Sequence, residues 1–195
     1  MKVIVTGGAG FIGSTLVKKI IKDLGYEVLV IDCLNYASQI DALATLRDNS
    51  LFSFSEIDIA DESNIKKAFF EYKPDYVFNL AAETHVDRSI DSPEPFIKTN
   101  IIGTYILLSV ALEYWQGLNN NRKKSFRFIQ ISTDEVFGDL EIDDAPFDEF
   151  SRYDPSSPYS ASKASSDHLV KAWNRTYNLP VIITNCSNNY GPFQF

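Results

Sequence analysis

The sequence predicts an α/β fold: a doubly wound parallel sheet with helices on both faces. Three observations predict it. The chain opens as a strand, a glycine-rich turn and an amphipathic helix; strand-like and helix-like patterns then alternate to the end; and Tyr76 to Leu80 is apolar almost throughout, as in a strand buried on both faces. A length of 195 residues suits one good core and at most part of another.

Lys2 to Thr6 reads as a short β-branched strand. Thr6-Gly7-Gly8-Ala9-Gly10-Phe11-Ile12-Gly13 follows, then a helix to about Leu24. Two glycine registers fit, Gly7, Gly10 and Gly13 or Gly8, Gly10 and Gly13, and either lets backbone approach a pyrophosphate at the helix N-terminus. Glu27 to Ile31 is a second strand ending at Asp32, placed where a carboxylate meets adenosine ribose hydroxyls. That carboxylate would repel a 2′-phosphate, and no Lys or Arg lies between Cys33 and Leu46, so NAD is expected over NADP.

Residues 33–50 form an irregular, partly helical excursion before the strand Phe52 to Ile57, which ends in Asp58-Ile59. Asp61 caps a helix from Glu62 to Tyr72. After the strand Tyr76 to Leu80, Ala81 and Ala82 are small enough to bring backbone close to a cofactor. Glu83 to Ser89 is read as a polar loop over the same edge, with His85 a hydrogen-bonding loop residue and Arg88 the nearest cation for a phosphate. One long helix runs from Pro95 to about Tyr114, and Gly117 to Lys124 is a polar connection.

The strand Phe126 to Ile131 then gives way to Ser132-Thr133-Asp134-Glu135-Val136-Phe137-Gly138, at the sheet edge where open α/β folds bind ligands. An acidic loop from Asp139 to Pro158 leads to a helix from Tyr159 to Tyr177 and a last strand, Val181 to Asn185. Tyr159 and Lys163 are four apart and share a helix face. A neighbouring ammonium favours the phenolate, so the tyrosine is expected to titrate nearer neutrality, as a base for a hydroxyl proton must. Thr133 could hydrogen-bond the same substrate oxygen. Alone, Tyr-x-x-x-Lys fixes too few positions to mean much; the glycine turn supplies the cofactor such a base would serve.

Composition narrows the classes. Eighteen basic and 26 acidic side chains leave a net charge of −8, which argues against nucleic acid or an anionic membrane as partner. No apolar run approaches ~18 residues and no signal pattern precedes the first strand, so a soluble cytoplasmic protein is expected. Cys33 and Cys186 are too far apart for a disulfide framework and are expected to be buried; no Cys/His cluster has metal spacing, so no metal is expected.

These stretches, with Asn79 to Ser89 and Asn188-Asn189-Tyr190-Gly191-Pro192, resemble the extended short-chain dehydrogenase/reductases, and among them the nucleotide-sugar 4,6-dehydratases. The resemblance implies a Rossmann-like domain over residues 1–185, with 186–195 opening a smaller substrate domain that is largely absent from the chain. It implies an NAD site lined by Gly7, Gly10, Phe11, Ile12, Gly13, Asp32, Asn35, Asp58, Ile59, Leu80, Ala81, Ala82, Thr99, Tyr159, Lys163 and Asn189. It also implies that Thr84 and Asn188 touch a nucleotide-sugar substrate, with His85 and Arg88 nearby, and that the protein is a homodimer. Tyr159 would be the base at a sugar C4 hydroxyl, Lys163 would hold the ribose and tune the tyrosine, and Asp134 and Glu135 would be acid and base for loss of water. Plain dehydrogenation leaves those two carboxyl groups surplus, whereas elimination from a keto sugar needs both. Because neighbours on a strand face opposite ways, both reach one sugar only if the strand has ended. A nucleotide-sugar 4-epimerase and a non-catalytic NAD-binding module are the alternatives.

Overall fold

The structure, a computed structural model, describes residues 1–194. Its six strands, β1 (Lys2–Thr6), β2 (Glu27–Asp32), β3 (Phe52–Glu56), β4 (Tyr76–Asn79), β5 (Arg127–Thr133) and β6 (Val181–Cys186), lie in the order β3-β2-β1-β4-β5-β6. Every pairing is parallel. The order reverses between β1 and β4, which opens a crevice at the carboxyl ends of the strands.

Strand alternation divides the apolar side chains between two cores. Val3, Val5, Val28 and Val30 face helix α1 (Phe11–Leu24) through Val17, Ile20 and Ile21, with Leu43 and Leu46 of a 3-10 segment (Ile40–Leu46). Ile4, Leu29, Ile31 and Phe128 face the other way, toward Ile65 and Phe69 of α2 (Glu62–Tyr72), Leu107 and Leu108 of α5 (Thr104–Gln116) and Val170 of α7 (Pro158–Tyr177). Asp61 caps α2 by accepting from the Asn64 amide.

Several elements differ from the sequence reading. Val86–Asp91 is a short helix, α3, rather than loop; it is too brief to show a helical period, and it is pinned by Ser89, whose hydroxyl accepts from the Tyr159 amide at 3.1 Å. Asn120–Ser125 is likewise helical (α6), capped by the Asn119 side chain on the Arg122 amide. Strand β5 continues to Thr133, where Ser132 and Thr133 pair with Asn185 and Cys186, so β6 also outruns the expected boundary at 185. Polar side chains hid that extension.

The expected helix at 95–114 runs through α4 (Glu94–Phe96), a π-helical stretch (Ile97–Gly103) and α5. This 94–116 helix is long and apolar enough to cross a membrane by length and composition, a feature that counting uninterrupted apolar residues overlooks. Half of its most apolar window is buried against the rest of the protein. Cys33 and Cys186 are exposed, not buried, because each lies at the carboxyl end of a strand, where the sheet opens to the crevice.

Candidate active site

The glycine turn forms the floor of the cleft. Gly7 has φ +67, and a Cβ there would stand 2.6 Å from the Ala81 amide nitrogen. A Cβ on Gly13 would run into the Gly7 carbonyl and lie 2.8 Å from the Gly8 Cα. Gly8 instead faces the Val30 side chain, so the register at the cleft is Gly7, Gly10 and Gly13. Phe11 and Ile12 line the same wall at the start of α1.

Asp32 ends β2 and is itself a structural hub. One carboxylate oxygen accepts from the Ala9 amide at 2.9 Å; the other accepts from the Leu34 amide at 2.9 Å and the Ser38 hydroxyl at 2.8 Å. Asn35 donates to Glu83 at 2.9 Å, and Tyr36 reaches the same carboxylate at 3.1 Å and His85 Nδ1 at 3.0 Å. Burial, then the Glu83 charge, pushes the Tyr36 phenol up. Asp58 accepts from the Ala60 amide and from Lys98, each at 2.9 Å. Asp32, Asn35, Asp58, Ile59, Leu80, Ala81, Ala82, Thr84, His85 and Thr99 all line the cleft, as do Asn188 and Asn189 beyond β6.

Opposite stand the residues that could do chemistry. Ser157 and Ser160 form a capping box and Pro158 takes the first turn of α7, which fixes Tyr159 and Lys163 on its inner face. Thr133, Glu135, Tyr159 and Lys163 line the cleft. Strand β5 has ended at Thr133, whose hydroxyl caps the following 3-10 turn Asp134–Phe137 by accepting from the Glu135 amide at 3.2 Å. The alternation of a strand therefore no longer governs the two carboxylates. Glu135 faces the cleft; Asp134, half-buried, accepts from Thr133 at 3.2 Å and lies off the wall. Arg88 is off it too: its guanidinium stacks 3.6 Å above the Tyr36 ring, because α3 turns it outward onto that aromatic face.

The electrostatics run against the expected tyrosine shift. Tyr159 is pushed up to about 12, first by burial and then by the Glu135 charge, with a Thr133 hydrogen bond pulling the other way. Lys163 is held down by burial, opposed by Asp167, and donates to the Ile131 carbonyl at 2.7 Å. The ammonium is thus directed to β5 rather than to the phenol. Burial and then Asp134 raise Glu135 above the usual glutamate range.

Residues missed in the sequence include Glu83, which ties the 33–38 loop to the cleft, and Asn100. The Asn100 side chain accepts from the Glu83 amide at 2.8 Å and donates to the Glu83 carbonyl at 3.0 Å and to Ser162 at 2.8 Å. A polar residue inside an apolar helical run was the available signal. Ser38, Ser132, Ser187 and Gln194 also line the cleft.

A switch-point cleft built from a glycine turn and a Tyr-x-x-x-Lys helix defines an extended short-chain dehydrogenase/reductase. The chain belongs to the family described as GDP-mannose 4,6 dehydratase, whose model matches residues 4–195. It is 54% identical over 203 aligned positions to a dTDP-glucose 4,6-dehydratase of Shigella flexneri, covering 100% of this chain and 56% of that protein. Among solved structures, the dTDP-glucose 4,6-dehydratase DesIV of Streptomyces venezuelae, with NAD bound, superposes with a TM-score of 0.89 at 40% identity, over 100% of this chain and 58% of that one. A UDP-glucose 4-epimerase of Thermotoga maritima gives 0.85 at 35% identity, again over 100% and 58%. The chain thus spans little more than half the length of these relatives.

Proposed function

We propose that these residues form the cofactor-binding and catalytic part of an NAD-dependent nucleotide-sugar 4,6-dehydratase that converts dTDP-glucose to dTDP-4-keto-6-deoxyglucose. The observation that carries the reading is Glu135, a half-buried carboxylate with a raised proton affinity, on the same cleft wall as Thr133 and Tyr159. The similarity to dTDP-glucose 4,6-dehydratases supports the substrate.

The residues fit the cofactor. The Gly7 and Gly13 positions leave no room for a side chain, so backbone amides can approach a pyrophosphate, and Asp32 ends β2 at the adenosine-ribose position. NAD, when bound, supplies a hydride acceptor for C4, a returned hydride for C6 and a positive nicotinamide ring. Tyr159 takes the C4 hydroxyl proton while Thr133 hydrogen-bonds that oxygen. Lys163 would hold the ribose. The new ketone acidifies C5–H, Glu135 removes that proton, and Asp134, released from Thr133, protonates the departing C6 hydroxyl; water leaves and the C5 proton is restored. With its carboxylate neighbours, Tyr159 can work as a base only where a positive charge offsets them.

A 4-epimerase shares the cleft, and its structural likeness keeps it as the second reading. Epimerisation conserves water, so Glu135 has no task in it. Incubating the protein, joined to a complete substrate domain, with dTDP-glucose and NAD separates the two: a 4-keto-6-deoxy product supports dehydration, while dTDP-galactose overturns it.

The proposed division is an NAD-binding domain over 1–185, with 186 onward opening a substrate domain. A homodimer is supported by the exposed apolar positions Ile97, Ile102 and Tyr105 along one helix, and is tested by sedimentation. Nucleic acid and membranes are not among the proposed partners. A cytoplasmic location suits a nucleotide-sugar substrate and two free thiols.

A further inference from the structure

Helix α7 carries a second buried ionic group that the proposed chemistry leaves unused. Asp167 is 0% exposed and sits one turn beyond Lys163, which is 4% exposed. Its Oδ2 accepts from the Ser132 hydroxyl at 2.6 Å and from the Tyr153 phenol at 3.1 Å, while Oδ1 is buried with no hydrogen-bond partner. Helix α7 also places Lys171 near it, 4.0 Å over the Tyr153 ring. Around Lys163 stand the Ile131 carbonyl of β5 and Cys186 of β6; toward the cleft lie Tyr159 and Glu135, with Asp134 off its wall.

A buried ammonium loses its proton unless an anion stands close. The charge of Glu135 bears on the tyrosine and that of Asp134 on both Glu135 and the tyrosine, whereas Asp167 bears on Lys163. Asp167 stands one helical turn from Lys163 on the buried face of α7, beyond direct ion-pair distance but with its charge bearing on the ammonium. We propose that Asp167 is the counter-ion of Lys163, a positioning residue that keeps the ammonium charged where the ribose of NAD would be held. The inference rests on the cofactor role given to Lys163 above.

A purely structural role is the competing account, since the two hydrogen bonds tie β5 and the 139–157 loop to α7. The geometry separates the two accounts. Both bonds fall on one oxygen, so the carbonyl of an asparagine can accept both while its amide takes the place of the partnerless oxygen. Asp167→Asn therefore removes charge and keeps the tether.

The experiment is NMR titration of the protein with lysine labelled at Cε and Nζ, the Lys163 signal being assigned by its loss in Lys163→Arg. In folded Asp167→Asn the Lys163 midpoint should fall by about one pH unit or more, a tenfold loss of proton affinity. Asp167→Glu should restore most of it, and the alkaline limit of NAD binding should move down with it. An unchanged midpoint in folded Asp167→Asn overturns the proposal. Should that variant not fold, Tyr153→Phe removes one donor from the carboxylate, so Asp167 should titrate at higher pH and the Lys163 signal should show an inflection there; its absence equally overturns the proposal. The readout needs no turnover, so failure of the dehydratase reading would leave this result standing on its own.

Discussion

Asp32 holds the glycine turn by accepting the Ala9 amide at 2.9 Å, so the carboxylate proposed for the ribose also shapes the pyrophosphate floor. Its substitution should act on both. Asp32→Ala should weaken NAD more than the loss of one ribose contact implies, by about 2–4 kcal/mol, and should narrow the gap to NADP. Calorimetric titration with the two cofactors is the check; a change in NADP affinity alone would confine Asp32 to discrimination.

Gly13 packs against Gly7 and Gly8 without room for a methyl group. Gly13→Ala should abolish measurable NAD binding and cost about 2 kcal/mol or more of stability, whereas Gly25→Ala, at φ +65 with open space around it, should lower stability alone. Parallel denaturant melts and cofactor titrations separate the two effects.

As the proposed base, Glu135 would have to be ionised to take the C5 proton, and burial with Asp134 nearby raises its proton affinity. The dehydration step should therefore lose rate as pH falls through a value above the usual ~4.3 of a glutamate. Glu135→Gln should remove that limb, slow elimination ~10²–10⁴-fold and spare the first hydride transfer. Single-turnover absorbance should then show reduced cofactor accumulating; dehydration at the unaltered rate would dismiss Glu135 as the base.

Asp75 accepts from the Lys2 amide at 3.0 Å and from Arg122 at 2.8 Å, and joins β1, the turn before β4 and α6. Burial alone would raise its proton affinity, but these donors hold it below the usual range. A lowered folded value gives stability that is present above the unfolded ~3.9 and is lost as pH falls toward the folded value. Urea melts from pH 7 to 3 should show this loss, of roughly 1 kcal/mol for a partly exposed pair, and Asp75→Asn should flatten it.

Phe69 is fully buried between α2 and α5, edge-on to Tyr114. Phe69→Ala should cost about 3–5 kcal/mol without changing NAD affinity per folded molecule.

The sequence made most of this arrangement legible where backbone chemistry is local. The glycine turn, the Asp61 cap and Pro158 each announce an element from its own residues. Ser132 and Thr133 read as lying beyond the strand because they are polar; in the fold Ser132 is satisfied by the distant Asp167, and Thr133 ends the strand by capping the adjoining 3-10 turn. Arg88 looked available for a phosphate until Tyr36, 52 positions earlier by number, captured it. The tyrosine shift reversed for a similar reason: spacing revealed that Lys163 was near, while its hydrogen bond to β5 and the charge of Glu135 depend on the assembled fold.

The strand order also imposes a schedule on the growing polypeptide. Each strand of this sheet runs parallel to its neighbours, so none can be zipped up by a simple hairpin. The first strand waits longest on one flank, since the Thr6 hydroxyl meets its Asn79 partner 73 residues later. At ordinary synthesis speeds of about 5–20 residues per second, that flank stays open for roughly 4–15 s. During that interval an apolar ribbon, Val3 to Val5, has a partner on one side only, and a passing chaperone or a sister nascent chain competes for the place that β4 will eventually take.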